Sequence, residues 1–106
     1  YNGTRTDTRW VRLTDAAGVG LEFAADGDLD VTALHYRPDQ LDSGPRKETT
    51  QAHFRLLDPV EEVHLDLDGF SSGVACINSW GALPLDAYQL PYGDYTFSFS
   101  FRPVGR

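Results

Sequence analysis

Aromatic and polar residues alternate one by one near the C-terminal end of the chain. The aromatic positions are Tyr95, Phe97, Phe99 and Phe101, and the polar ones between them are Thr96, Ser98, Ser100 and Arg102. Because successive side chains of a strand point to opposite faces, this alternation predicts a strand over residues 95–102 with one apolar face. Helical spacing of apolar residues is nearly absent from the chain. The sequence therefore predicts an all-β fold.

A β-hairpin is predicted near the N-terminus. Residues 10–14 and 19–23 are short strand-like runs, and Asp-Ala-Ala-Gly at 15–18 supplies a turn between them. Residues 29–36 are rich in β-branched and aromatic side chains and follow a turn-like Ala-Asp-Gly-Asp at 25–28. We therefore predict a separate strand over residues 29–36.

The middle of the chain predicts one more strand and one short helix. Apolar residues at 63, 65 and 67 alternate with polar ones, and the strand should end at the Asp68-Gly69 turn. The helical candidate is residues 38–42, where Pro38 suits a first helical turn. Residues 42–51 are polar and predict an exposed loop. Short strands separated by turns are typical of an antiparallel β-sandwich, and we expect residues 1–106 to form a single domain.

Charge and cysteine content exclude several classes of partner and site. Nine Lys and Arg residues against sixteen Asp and Glu give a net charge of −7, which disfavours nucleic acid and membrane surfaces as partners. Cys76 is the only cysteine, so we expect no internal disulfide and no thiolate metal site, and its apolar neighbours predict a buried, inert thiol. The absence of methionine leads us to expect a piece of a longer protein.

No metal site is predicted in this chain. The alternating carboxylates Asp26, Asp28 and Asp30 resemble the start of a calcium loop. Val31 stands where that loop needs glycine, however, and Arg37 stands where it needs glutamate, so an exposed acidic turn is the better interpretation. The three histidines lie in different elements without metal-ligand spacing: His35, His53 and His64.

No catalytic residue is predicted either. Glycoside hydrolysis needs two carboxyl groups on either side of the scissile bond, and nothing singles out such a pair. Glu61 and Glu62 would point to opposite faces of a strand, whereas Asp66 and Asp68 would share a solvated face. The chain also lacks a Gly-x-Ser-x-Gly elbow, a phosphate-binding loop and a His-Glu-x-x-His motif.

Trp80 is the most informative aromatic residue, because it lies in a long glycine-bearing segment, residues 69–85. An indole there can fill the core, or it can offer a flat face to the C–H groups of a sugar. Composition alone favours the core position, both for Trp80 and for Trp10 at the start of a strand.

Five short motifs, in their order and spacing, resemble the C-terminal domain of the long, lac-type β-galactosidases of glycoside hydrolase family 2. They are Asn-Gly-Thr-Arg-Thr-Asp-Thr-Arg-Trp at 2–10, Leu-His-Tyr at 34–36, Asp-Leu-Asp-Gly-Phe at 66–70 with Gly-Val at 73–74, Asn-Ser-Trp-Gly at 78–81 and Tyr-Gln-Leu-Pro-Tyr-Gly-Asp-Tyr at 88–95. The resemblance covers the chain from Asn2 to about Pro103. Where the family usually has two glycines and two aspartates before Ser-Trp, this chain has Ala, Cys, Ile and Asn at 75–78.

The resemblance implies a fold, an activity and one site residue. The fold would be the C-terminal part of a galactose-mutarotase-like supersandwich in a bacterial, cytoplasmic, homo-oligomeric enzyme that hydrolyses terminal β-D-galactosides such as lactose. Its catalytic glutamates and its magnesium and sodium or potassium ligands would lie on other domains, so the isolated chain should be inactive. Trp80 would contribute to the substrate-binding wall of the active site.

Two other functions remain open from the sequence. The chain could be a carbohydrate-binding or adhesion module that holds a sugar on exposed aromatics such as Trp80, Tyr88 and Tyr92. It could also be a purely structural interface sandwich with Trp80 buried.

Overall fold

The computed structural model describes residues 3–42, 45, 57–73, 78 and 80–105. The elements in chain order are β1 (Arg5–Thr14), β2 (Gly20–Leu34), α1 (Pro38–Leu41), β3 (His64–Asp68), a 3-10 turn (Asp86–Tyr88) and β4 (Phe99–Val104). All strand pairs are antiparallel, and the strands form one four-stranded sheet. The all-β prediction is confirmed, whereas the second layer of a sandwich stays a prediction. No helix in the described ranges is long and apolar enough to cross a bilayer.

The long strand β2 is the centre of the sheet. β1 pairs along one edge of β2, from Arg5 opposite Val31 to Thr14 opposite Gly20. On the other edge, β4 pairs with residues 20–25 of β2 and β3 pairs with residues 30–34. Since both run antiparallel to β2, β3 and β4 lie end to end and together occupy one strand position. The chain leaves this position after Asp68 and returns to it at Phe99; residues 69–98 are called the excursion below.

The predicted hairpin at the N-terminus is confirmed. Asp15 organises its turn, because its side-chain Oδ1 accepts hydrogen bonds from the backbone N–H of Ala17 (2.8 Å) and of Val19 (3.0 Å). Gly18 adopts a φ of 79°, a conformation that glycine reaches without steric cost. These contacts explain why this short polar stretch closes β1 onto β2.

The turn predicted at residues 25–28 is wrong, because β2 runs through it without a break. Opposite this stretch, Thr8 pairs with Leu29 and Trp10 pairs with Ala24, so a short piece of β1 faces a longer piece of β2. Such a bulge absorbs residues that would otherwise favour a turn. Cross-strand pairing therefore overrides the local preference of Asp-Gly, and residues 20–34 form one strand.

The other element predictions are confirmed in part. The strand predicted at 63–68 and the helix predicted at 38–42 are present. The predicted C-terminal strand is right from Phe99 onward but wrong for residues 95–98, whose aromatic side chains pack against Phe70 instead. In addition, β4 pairs with β2 only as far as Ala25, and from Asp30 onward the same edge of β2 pairs with β3. Most of the loop predicted at 42–51 lies outside the described residues.

The pairing of β1, β2 and β4 places two different sets of side chains on the two faces of this part of the sheet. One face, called the apolar face, carries Val11, Leu13, Leu21, Phe23, Phe99, Phe101 and Pro103. The opposite face carries an ion-paired triad, in which Glu22 accepts from Arg12 Nε (2.6 Å) and lies 2.7 Å from an Arg102 guanidinium nitrogen. Trp10 lies on this polar face, 58% exposed, with the Arg12 guanidinium carbon 5.2 Å from its ring centre. The prediction that Trp10 is a core residue is therefore wrong.

Little of the chain is buried. Among the described residues only Leu29, Val31 and Thr32 are buried, whereas Phe101 on the apolar face is 65% exposed. The accessible surface is 9154 Å², against about 5,900 Å² for a folded protein of this mass. The radius of gyration is 17.1 Å, against about 13 Å for a compact domain of this length. The sheet thus exposes an apolar surface that a self-contained domain would cover.

Candidate functional site: an exposed indole on the excursion

Trp80 lies on the excursion and is 92% exposed. An indole that fills the core would lose almost all of its contact with water, so the prediction of Trp80 as a core residue is wrong for this chain. An exposed indole forgoes about 1.5–3 kcal/mol of burial free energy, which makes its flat face available to another molecule.

The backbone around Trp80 is held by the side chain of Asn78. Asn78 Oδ1 accepts hydrogen bonds from the backbone N–H of Trp80 (2.9 Å) and of Ala82 (3.4 Å). Gly81, between them, adopts a φ of 105°, which residues with a side chain rarely do. Asparagine favours such turns because its short side chain reaches backbone groups two residues on. These hydrogen bonds of Asn78 are not evident from the sequence, although Asn-x-x-Gly at 78–81 is a turn signal.

Further along, the two arms of the excursion are tied together. The backbone N–H of Gly73 donates to the carbonyl of Tyr88 at 2.7 Å. A Cβ atom at Gly73 would lie 2.8 Å from the Tyr88 Cβ, so only glycine allows this close approach. Gln89 braces the second arm, because its Nε2 donates to the carbonyl of Pro84 (2.9 Å) and to Asp86 Oδ1 (3.1 Å).

Where the excursion leaves and rejoins the sheet, three rings make an aromatic clasp: Phe70, Tyr95 and Phe97. The Phe70 ring centre lies 5.1 Å from that of Tyr95 and 6.4 Å from that of Phe97. The Tyr95 hydroxyl donates to the carbonyl of Pro91. Edge-on and tilted ring pairs at these distances are stabilising. The clasp anchors both ends of the excursion at the gap between β3 and β4.

Two clefts lined by described residues border the sheet, and Trp80 lines neither of them. One, of about 290 Å³, lies between α1 and β3 and includes Leu34, His64 and Asp66. The other, of about 400 Å³, lies in the gap between β3 and β4, beside Leu29 and the clasp residue Phe70. Trp80 therefore belongs to neither of these two clefts, and its indole is exposed to water.

Electrostatics around the sheet suit ion pairing rather than acid catalysis. Hydrogen bonds from Arg12 and then Arg102 lower the pKa of Glu22, and a hydrogen bond from Arg37 lowers the pKa of Asp39. A general acid needs a pKa raised toward neutrality, so neither carboxyl suits that role. Across the part of the chain that the structure describes, no group of three His, Cys, Asp or Glu residues could hold a metal ion.

The remaining residues singled out from the sequence lie on other elements, elsewhere on the excursion, or outside the described ranges. His35 makes a hydrogen bond through Nδ1 to the carbonyl of Val60 (2.9 Å), and His64 lies opposite Leu34 in the sheet. Tyr88 and Tyr92 are exposed on the excursion. His53 and Cys76 lie outside the described residues.

The fold and the exposed indole define an antiparallel β domain that presents aromatic side chains, Trp80 among them, on the excursion between β3 and β4. A family model described as "Beta galactosidase small chain" matches residues 1–101. The chain therefore belongs to the beta-galactosidase small chain family, and the resemblance seen in its motifs is confirmed. No curated protein and no solved structure matched the chain.

Proposed function

We propose that this chain is a non-catalytic β domain of a β-galactosidase that hydrolyses terminal β-D-galactosides, and that Trp80 forms one wall of the substrate site. The observation that carries the proposal is the combination at Trp80 of an ordered backbone with a 92% exposed indole. Membership of the β-galactosidase family supplies the substrate class.

In this proposal the chemistry takes place on other parts of the enzyme. A retaining glycosidase uses one carboxyl group as acid and base and a second as nucleophile, with a covalent glycosyl intermediate. The magnesium and sodium or potassium sites also belong to those other parts. Trp80 contributes an apolar face to the leaving, non-galactosyl part of the substrate. By analogy with aromatic pairs, such stacking is worth about 0.5–1.5 kcal/mol.

The sheet has a second role in the proposal, as scaffold. Its apolar face is exposed in this chain, and its accessible surface exceeds that of a self-contained domain. The face would pack against further strands of a supersandwich in the complete, homo-oligomeric enzyme. The chain by itself is expected to have no galactosidase activity.

The test is the kinetics of Trp80→Leu in the complete β-galactosidase. We expect KM for lactose to rise about 2- to 13-fold, which corresponds to the stacking energy above. KM for galactosyl fluoride, which has almost no leaving-group surface, should change less than twofold. Trp10→Leu is the matched control, because it removes an exposed indole from β1. Unchanged kinetics with both substrates would remove Trp80 from the site.

A carbohydrate-binding module is the second candidate, since Tyr88 and Tyr92 are exposed on the same excursion as Trp80. Titration of the chain with lactose separates the two functions. A binding module should bind lactose without other domains, whereas one wall of a shared site should bind it too weakly to detect. Saturable millimolar binding that Trp80→Leu abolishes would favour the module.

A further inference from the structure

We infer that Asn78 is a positioning residue for Trp80, and that its side-chain oxygen sets the direction in which the indole points. This inference rests on the proposed function of Trp80. Asn78 does not touch the substrate in this view; it acts through the backbone of the residue that does.

The first argument is that little else in the described chain can orient Trp80. A buried side chain is held by its neighbours, but an indole that is 92% exposed has few of them. The backbone sets the direction of its Cα–Cβ bond, and with it the side of the chain on which the indole lies. The Trp80 N–H is fixed by its 2.9 Å bond to Asn78 Oδ1.

A second argument comes from Gly81 and Ala82. The chain bends at Trp80 and Gly81, where Gly81 has a φ of 105°, and the Ala82 N–H also approaches Asn78 Oδ1, at 3.4 Å. One oxygen atom thus accepts from the residue that carries the indole and from the residue two positions later. Both bonds depend on the acceptor oxygen and neither depends on the amide nitrogen of Asn78.

A third argument comes from comparing the turn at Asn78 with the hairpin turn at Asp15. Asp15 Oδ1 accepts from the residues two and four positions later, as Asn78 does. Its turn has backbone bonds as well, from Asp15 N to Val19 O (2.9 Å) and from Gly18 N to Asp15 O (3.0 Å). No backbone–backbone bond joins the described residues 78 and 80–82 to one another. The turn at Trp80 should therefore depend more on its side chain than the hairpin turn does.

The experiment is a double-mutant cycle in the complete β-galactosidase, with lactose as substrate. Asn78→Ala removes the acceptor and should raise KM about 3- to 5-fold with kcat within twofold of wild type. Asn78→Asp keeps an oxygen in the same place and should restore KM to within twofold. In the Trp80→Leu background, Asn78→Ala should have no further effect, because there is no indole left to position.

Asp15→Ala is the matched control, since it removes the equivalent side-chain acceptor from the hairpin turn. It should leave KM for lactose unchanged. If Asn78→Ala does not fold, Asn78→Gln takes its place, because the longer side chain keeps the amide but displaces its oxygen, and KM should rise as for alanine.

The outcomes separate this inference from the proposed function. If Trp80→Leu itself leaves KM unchanged, the proposed function fails. If Trp80→Leu raises KM but Asn78→Ala does not, or if Asn78→Ala raises KM equally with and without Trp80, the positioning role is overturned. A rise in KM with Asn78→Asp as large as with alanine would also overturn it, because the acceptor oxygen is then not what matters.

Discussion

The sheet and the excursion are held together in different ways. In the sheet, backbone pairing along both edges of β2 carries the structure, from Gly20 to Leu34. In the described part of the excursion, a few separate contacts carry it: the aromatic clasp at its ends, the backbone bond from Gly73 to Tyr88 and the side-chain bonds of Asn78. Only the 3-10 turn gives this part regular structure.

This difference explains how one small chain combines a scaffold with an exposed aromatic residue outside it. A sheet distributes its stability over many equivalent bonds, so its shape is insensitive to most single side chains. An excursion stabilised by a few specific contacts can hold an indole in water at a defined place, but each contact matters. Substitutions should therefore act through the backbone in the sheet and through side-chain contacts in the excursion.

The largest effect is expected from Gly20→Ala in the sheet. Gly20 is paired on both sides, with Thr14 and Val104, and a methyl group there would overlap the carbonyl oxygen of Leu13. Because the methyl group would meet a backbone atom, the strands must shift, and we expect the free energy of unfolding to fall by about 2–3 kcal/mol. Hydrogen exchange of β1 and β2 amides in the complete protein measures it.

Gly27→Ala is the control for this substitution, since no heavy atom lies within 4 Å of a Cβ built there. It should change stability by less than about 1 kcal/mol. We attribute the effect of Gly20→Ala to the clash with the backbone of β1 and not to the loss of a glycine as such. Equal loss of protection from hydrogen exchange in the two variants would contradict this explanation.

An intermediate effect is expected from Phe70→Ala in the excursion. This change removes both ring contacts of Phe70 in the clasp, and because the ring is only half buried we expect the excursion to lose about 1–2 kcal/mol. The Gly73 N–H, bonded to Tyr88, should exchange faster, whereas amides of β1 and β2 should keep their protection. Leu83→Ala, on the exposed part of the excursion, should change neither. Loss of protection throughout the sheet would show that the two regions are not separate.

The smallest effect is expected from Glu22→Gln on the polar face of the sheet. Hydrogen bonds from Arg12 and Arg102 lower the pKa of Glu22, so its ionised form stabilises the folded state. This stabilisation is complete above the pKa of Glu22 in the unfolded chain, about 4.3. It is lost as pH falls through the lower pKa that Glu22 has in the folded state. Glu22→Gln should therefore flatten the fall in Tm below about pH 5.

Asp28→Asn is the control here, because the Arg9–Asp28 pair is 3.6 Å apart and exposed on both sides. Its Tm should follow wild type throughout the titration. An acid-induced fall in Tm as steep for Glu22→Gln as for wild type would show that the triad contributes nothing to acid stability.

Predictions from the sequence succeeded where local pattern and tertiary pairing agree. The hairpin turn at Asp15 and the alternation in β3 specify their structures within a few residues, and both are present. The turn expected at 25–28 failed because β1 pairs on either side of it and forces a bulge. The strand expected from residue 95 begins only at Phe99, because Tyr95 and Phe97 pack against Phe70.

The candidate site shows the same division. Five ordered motifs identified the family and drew attention to Trp80, but no pattern along the chain could tell whether its indole is covered. Exposure depends on which surfaces meet in three dimensions, and for that reason the core predictions for Trp10 and Trp80 failed together. The two hydrogen bonds of Asn78 were likewise not predicted, since a turn signal does not say which backbone groups the side chain reaches.

The amino-acid sequence by itself determined the β character of this protein, its hairpin, its short helix and its family. Those properties follow from side-chain period, turn chemistry and motif order, which are all local along the chain. Only the tertiary structure decided that β3 and β4 share one strand position and that Trp80 stands in water on an excursion between them. Such facts depend on competition between distant segments for the same edge of β2, and that competition is settled by pairing and packing rather than by local preference.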